Sequence, residues 1–205
     1  MDIDPKDLVA SASSATEVRE GRERSSARLN AAVAITVAVL ATFMGICKVK
    51  DDNIMQAMQA AQADKLDHWA YYQARNIRQE VADATVVQLE LARLSAAPAA
   101  AVAYDAAIAK YRALAQDQAK KKDELKAQAE QDQKTYDALN YRDDQFDLSD
   151  ALLALAIALL AVTALTGLWP LFWVALVPIG FGVLMGLSGL LGLPIHPESL
   201  VRLLS

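Results

Sequence analysis

The sequence has little of the chemistry that most enzymes and metalloproteins use. Its 205 residues include one cysteine, two histidines and eight glycines. The single cysteine, Cys47, excludes a disulfide within the chain and a cysteine-based zinc cluster. His68 has no second histidine or cysteine at metal-binding spacing, and no phosphate loop, H-E-x-x-H segment or EF-hand loop is present. We therefore predict no catalytic residue, no cofactor and no metal, and a protein that is not an enzyme.

Charge is missing from two long stretches of the chain, residues 29–47 and 151–195. About 20 apolar residues cross the hydrocarbon core of a bilayer, so the first stretch matches one span and the second is long enough for two. Gly167 and Pro170 interrupt the second stretch, because glycine and proline are the weakest helix formers. The pattern predicts transmembrane helices at residues 29–47, 151–168 and 171–193, and a lipid bilayer as the surroundings.

The residues on either side of the first span predict whether the span is cleaved off and which of its ends is cytoplasmic. Its apolar core is longer than the roughly 7–15 residues of a cleaved signal, and no small-residue cleavage site follows it, which favours a retained span. Four arginines crowd the polar N-terminal segment 1–28, whereas two lysines closely follow the span. The positive-inside rule then predicts a cytoplasmic N-terminus, with residues 48–150 and the tail 194–205 on the opposite side.

Glycine is absent from residues 51–147, and Pro98 is the one proline there. Such a composition, rich in alanine, glutamine and charged residues, is typical of long helices. A proline disfavours helix in the residue before it, so one helix should end near Ala96 and the next should begin near Pro98. We place an N-cap for the first helix within residues 51–53. Because both ends of region 48–150 are anchored in the membrane, the prediction is an antiparallel helical hairpin with its tip near Pro98.

Hydrophobic spacing indicates a coiled coil between the two predicted helices. On the second helix, steps of three and four residues define a stripe of Tyr104, Ile108, Tyr111, Ala115, Gln118, Lys122, Leu125, Ala129, Asp132, Tyr136, Leu139, Asp143 and Phe146. On the first helix, the matching stripe comprises Leu66, Ala70, Ile77, Ala84 and Leu91, with Val87 and Leu94 beside it. The polar members Gln118, Lys122 and Asp132 either fix the register or mark where a neighbouring subunit docks.

An aromatic cluster lies in the sequence "DKLDHWAYYQAR", residues 64–75. If the tip of the hairpin is near residue 97, the numbers of two residues that face each other sum to about 194. Trp69 then lies near Leu125, and Tyr72 lies near Lys122. The cluster then fills the seam or a subunit contact. The alternative is a binding site for a partner peptide, because tryptophan and tyrosine are favoured at interface hot spots.

Two further patterns have alternative interpretations. The acidic pairs Asp51–Asp52 and Asp143–Asp144 lie where a span meets the polar region, so we interpret them as caps and solvated charges, with a cation site in an oligomeric ring as the alternative. Gly182-x-x-x-Gly186 is the small-residue pattern that lets helix backbones approach, within one chain or between subunits.

Charge also limits the partners. The net charge is −5 and acidic residues directly follow the basic run 120–122, so we predict no nucleic acid partner, and no small-molecule substrate is evident. None of the spans carries an ionisable residue apart from Cys47, which argues against an ion-coupled transporter. These features predict a non-enzymatic scaffold or accessory protein that binds copies of itself or another membrane complex. The alternative is a homo-oligomeric channel or pore.

Residues 50–79, "KDDNIMQAMQAAQADKLDHWAYYQARNIRQ", follow one span and precede a paired C-terminal span. This arrangement, and chiefly the "WAYYQAR" core at residues 69–75, resembles an uncharacterised bacterial membrane-protein family, the domain of unknown function DUF4337. The resemblance covers most of residues 28–193. It implies the order span, helical hairpin, two spans, and a multi-pass protein of the bacterial inner membrane. Together with the predicted direction of the first span, this places the expected hairpin in the periplasm. The expected fold is therefore all-α, an integral membrane protein with three transmembrane helices and a coiled-coil hairpin after the first.

Overall fold

Three helices account for the fold: α1 (Pro5–Leu94), α2 (Pro98–Thr166) and α3 (Trp169–Leu191). The computed structural model describes the backbone of residues 5–195 and the side chains of residues 17 and 19–195. Within that backbone there is no strand, which confirms the all-α prediction. Residues 1–4 of the predicted N-terminal segment and residues 196–205 of the predicted tail lie outside the described part.

Helices α1 and α2 end close to Pro98 and Gly167, as the sequence predicted. α1 closes with a tighter turn, in which Ser95 and Ala96 donate backbone hydrogen bonds to Ala92 and Arg93. α2 then begins at Pro98, whose missing N–H is not needed in a first turn. α2 ends at Thr166, and the next residue, Gly167, adopts φ = 69° and donates its N–H to Thr163 at 2.9 Å. The left-handed backbone at this turn favours glycine because it lacks a Cβ.

The predicted helix start within residues 51–53 is wrong, because α1 continues through them without a break. Residues 46–97 contain neither glycine nor proline, so nothing in this stretch stops a helix that the first span has already nucleated. Extending a helix adds one hydrogen bond per residue, whereas starting a new one requires an unfavourable nucleus. Each of α1, α2 and α3 is long and apolar enough to cross a membrane.

The chain divides into two compact units. Unit 1 contains the residues up to 53 and those from 141 onwards, and unit 2 contains residues 54–140. Both α1 and α2 pass through both units, whereas α3 belongs to unit 1 alone.

Unit 1 has an apolar core to which all three helices contribute. Its buried members are Leu29, Val33, Leu40, Leu153, Leu160 and Ala175. Large apolar side chains also cover its outside, for example Ile35, Val39, Val162 and Val177, each about half exposed or more. Helical stretches that carry no charge and are apolar both inside and outside the bundle are typical of a bundle surrounded by lipid.

Glycines on α3 allow close packing within unit 1. A Cβ built on Gly182 would lie 2.8 Å from the side chain of Leu153, and one on Gly186 would lie 2.8 Å from Phe43. Gly189 meets Phe146 in the same way. The small-residue face of α3 is thus occupied by α1 and α2 of the same chain.

In unit 2, α1 and α2 lie side by side and run antiparallel. Lys65 Nζ donates to Gln133 at 2.7 Å, and farther along the chain Arg112 forms an ion pair with Glu90. As the residue number on α1 rises, the number of its partner on α2 falls, which is the signature of an antiparallel pair.

Adding one methyl group to Gly182 tests the packing of α3. We expect Gly182→Ala to lower the free energy of unfolding by about 1–3 kcal/mol, because Leu153 is fully buried and has no room to move away. Gly180→Ala is the matched control, since no atom lies within 4 Å of its added Cβ. Denaturation of the full chain in detergent micelles measures both variants, and equal effects would contradict the packing described here.

Candidate functional site

The seam of unit 2 uses the face of α2 that the sequence predicts. Ile108, Ala115, Gln118 and Ala129 are buried there. The remaining members of the predicted stripe within unit 2 are half-buried: Tyr104, Tyr111, Lys122, Leu125, Asp132, Tyr136 and Leu139. The three-and-four spacing on α2 is therefore confirmed.

The predicted seam on α1 is wrong, because α1 turns its opposite face to α2. The buried residues of α1 in unit 2 are Ile54, Met58, Ala61, Ala82 and Val86. The predicted residues Leu66, Ile77 and Leu91 are 58%, 61% and 63% exposed. Helix α1 thus carries two apolar faces of the same spacing, and apolarity alone did not select between them.

Polar partners explain why the less apolar face of α1 is used. His68 Nδ1 lies 2.6 Å from Asp132 Oδ2, and Arg75 donates to Gln118 Oε1 at 3.1 Å. Lys122 Nζ donates to Asn76 at 3.1 Å. If the more apolar face of α1 packed against α2, the polar side chains of α2 would be buried without hydrogen-bond partners. Each such group would lower the free energy of unfolding by about 1–3 kcal/mol.

These contacts decide the role of the polar residues on α2. Gln118 is 4% exposed, whereas Lys122 and Asp132 are half-buried. Each has a hydrogen-bond partner on α1 of the same chain. They therefore fix the register of α1 on α2.

The aromatic cluster lies along the same seam. Trp69 and Tyr72 are half-buried and meet edge to face, with ring centroids 5.3 Å apart. Lys122 Nζ lies 6.0 Å from the Tyr72 ring centroid, as the predicted facing positions require. This arrangement is packing with a cation–π contact. The facing of Trp69 and Leu125 stays a prediction.

The outside of unit 2 carries an apolar surface that we name the outer stripe. It consists of the exposed residues Leu66, Ala70, Ile77, Val81, Ala84, Val87, Leu91 and Leu94. Ala70, Ile77, Ala84 and Leu91 are seven residues apart, which is the heptad repeat of a coiled coil. The stripe lies roughly opposite the seam on the circumference of α1.

In unit 1, Asp51 is not the solvated cap that the sequence suggested, whereas its neighbour Asp52 is exposed. Asp51 is only 5% exposed, and its Oδ2 accepts a hydrogen bond from Lys48 Nζ at 2.8 Å. Its Oδ1 is buried, and no donor among the described residues contacts it. Lys48 Nζ also lies 3.5 Å from Asp52.

Asp143 approaches Asp51 from α2. Burial raises the pKa of Asp143 to about 7, and both a hydrogen bond with Asp51 and the charge of Asp147 act in the same direction. Burial and the charge of Asp51 also raise the pKa of Asp147. A cavity of about 30 Å³ beside them is lined by Lys48, Asp51, Asp147 and other residues of α1 and α2.

Polar side chains of α2 hold the end of α3. Arg142 donates to the carbonyl of Gly189 at 2.8 Å. Gln145, which is 1% exposed, donates to Ser188 Oγ and to the carbonyls of Leu193 and Ile195. The Gly189 carbonyl is one of those that a helix C-terminus leaves without partners, whereas Leu193 and Ile195 belong to the segment that follows α3.

Sequence reasoning missed Gln145 and the Asp51–Asp143 contact. The signal for Gln145 was its position three residues from Arg142 and four from Ser149, on one face of α2 just before an uncharged stretch. Ser149 itself donates to the Gly182 carbonyl at 2.8 Å. Across the described part of the chain, no three histidine, cysteine or acidic side chains converge as a metal site would require.

A double-mutant cycle tests the contact between His68 and Asp132. We expect alanine substitutions to show a coupling energy of about 1 kcal/mol, because both side chains are mostly buried and hydrogen-bonded. The exposed pair Lys120–Glu124 is the control, for which about 0.3–0.5 kcal/mol is expected. Equal coupling at both pairs in the micelle-bound chain would show that the seam contact does not fix the register.

No curated protein and no solved structure matches the chain. Residues 29–192 match the family described as Domain of unknown function (DUF4337). This match includes all three helices, in part or in whole, and most of both units. The chain therefore belongs to the DUF4337 family.

Proposed function

We propose that the protein is a non-enzymatic membrane scaffold that self-associates through the outer stripe of unit 2. In this proposal, residues 29–47, 151–168 and 171–193 span the bacterial inner membrane. The N-terminus is cytoplasmic, and unit 2 forms a helical hairpin on the periplasmic side. The outer stripe is the observation that carries the proposal.

The outer stripe is an apolar surface that unit 2 leaves exposed. Its large residues are each more than half exposed, including Val81 at 60% and Val87 at 53%. Contiguous apolar surface of this kind on a charged domain marks an interaction site. Lipid is an unsuitable cover, because the same stretch of α1 carries Arg78, Glu80 and Asp83.

A second copy of the chain fits the outer stripe by symmetry. Copies inserted in one membrane share one orientation, so their α1 helices run parallel to each other. A heptad stripe on parallel helices meets itself in register across a two-fold axis. Gln73 and Glu80 interrupt the stripe at heptad positions, so residues 84–94 provide its most continuous apolar part.

Charge placed in the outer stripe tests self-association. We expect Ile77→Glu combined with Leu91→Glu to weaken the oligomer at least about tenfold, since like charges would then face each other across the contact. Native mass spectrometry and sedimentation in mild detergent measure the change. Ala113→Glu is the control, because it adds a glutamate, one instead of two, at an exposed position on α2.

Two results would contradict the scaffold proposal. One is a strict monomer for the unmodified chain, at every protein concentration, together with no partner captured by crosslinking in cells. The other is dissociation of the oligomer by Ala113→Glu to the same extent as by the stripe variant. Folded oligomers that conduct ions in planar bilayers would favour the homo-oligomeric pore instead.

A further inference from the structure

The burial of Asp51 and Asp143 follows from the periodicity of the two long helices. On α1, Cys47, Asp51, Ile54 and Met58 are buried at alternating steps of four, three and four residues. On α2, Asp143 is half-buried and occupies the same kind of position, between the half-buried Leu139 and the buried Phe146. Each carboxyl group is therefore on the face that its helix buries.

The charges around the two carboxyl groups do not balance. α3 has no ionisable residue, so the charged neighbours come from α1 and α2 alone. Those that act on the two carboxyl groups are Lys48, Asp144 and Asp147, while Asp52 acts on Lys48 and Asp150 acts on Asp147. Lys48 is the one cation among them, and its ammonium group binds Oδ2 of Asp51, which leaves Oδ1 buried without a donor from the part of the chain that the structure describes. Two neighbouring carboxylates in such a place strongly oppose double ionisation.

We propose that Asp51 and Asp143 form a proton-binding site, in which the protonated carboxyl group of Asp143 donates its hydrogen to Oδ1 of Asp51. The bound proton supplies the donor that Oδ1 lacks and removes one negative charge from the acidic cluster. It also joins α1 to α2 through a charge-assisted hydrogen bond. The site is thus a contact within unit 1 that holds only while the proton is bound.

The sign of the pH dependence follows from the raised pKa of Asp143. The folded chain keeps this proton up to about pH 7, whereas an ordinary aspartate releases it near 3.8. Between these values the folded state binds more protons than the unfolded state, so this pair makes stability fall as the pH rises. Above neutral pH the pair is doubly charged, and its contribution opposes folding.

Infrared titration of the full chain in mild detergent tests the site. We expect the carbonyl band of a protonated carboxyl group to disappear as the pH rises, with a midpoint near pH 7. Asp143→Asn and Asp51→Asn should each lack this transition. Asp143→Asn should also flatten the dependence of the unfolding midpoint on pH between about pH 5 and 8.

Two more variants keep the test decisive even if a variant of the pair fails to fold. Asp147→Asn leaves both members of the pair intact and removes a neighbouring negative charge, so it should move the midpoint to lower pH. Asp123→Asn changes an exposed residue of unit 2 and should leave the midpoint unchanged. The proposal fails if no carboxyl band of the folded protein titrates in this range, if the band survives in both pair variants, or if Asp147→Asn leaves the midpoint where it was.

Discussion

The continuity of α1 and α2 is the constraint on which the rest of the structure depends. Each helix runs from an uncharged stretch into a charged one without a glycine or proline to break it at the boundary. A continuous helix has no joint at which a few residues could turn independently of their neighbours, so its period fixes which residues lie on its buried face. Leu40, Cys47, Ile54 and Ala61 lie on one such face of α1, seven residues apart.

This constraint explains why charged residues are buried at the boundary between the units. Asp51 lies on the buried face of α1, between apolar positions on either side of it. A break within residues 48–53 would have let Asp51 turn to solvent as a cap. Helix propagation prevents that break, so the acidic groups must be stabilised where they are, by Lys48 and, in our proposal, by a shared proton.

Within unit 2, the partners of polar side chains decide which faces meet. Helix α2 offers a single stripe with Gln118, Lys122 and Asp132 in it, whereas α1 offers two faces of coiled-coil spacing. Hydrogen bonds that join Arg75, Asn76 and His68 to these three residues select one of the faces. The more apolar face is left outside, where it becomes the outer stripe and the basis of the proposed self-association. The same rule acts in unit 1, where Gln145 and Ser149 bind carbonyl groups of α3 and of the segment after it.

The sequence by itself determined the helical class, the three apolar stretches, the breaks at Pro98 and Gly167, and the seam on α2. Each of these features depends on local composition or on the period of a single helix, and both can be read from the sequence alone. Only the tertiary structure decided the seam on α1, the burial of Asp51 and the contacts of Gln145. Those features depend on which polar groups face each other across two helices. Two stripes of equal period on one helix are indistinguishable until the hydrogen-bond partners on the other helix are in place.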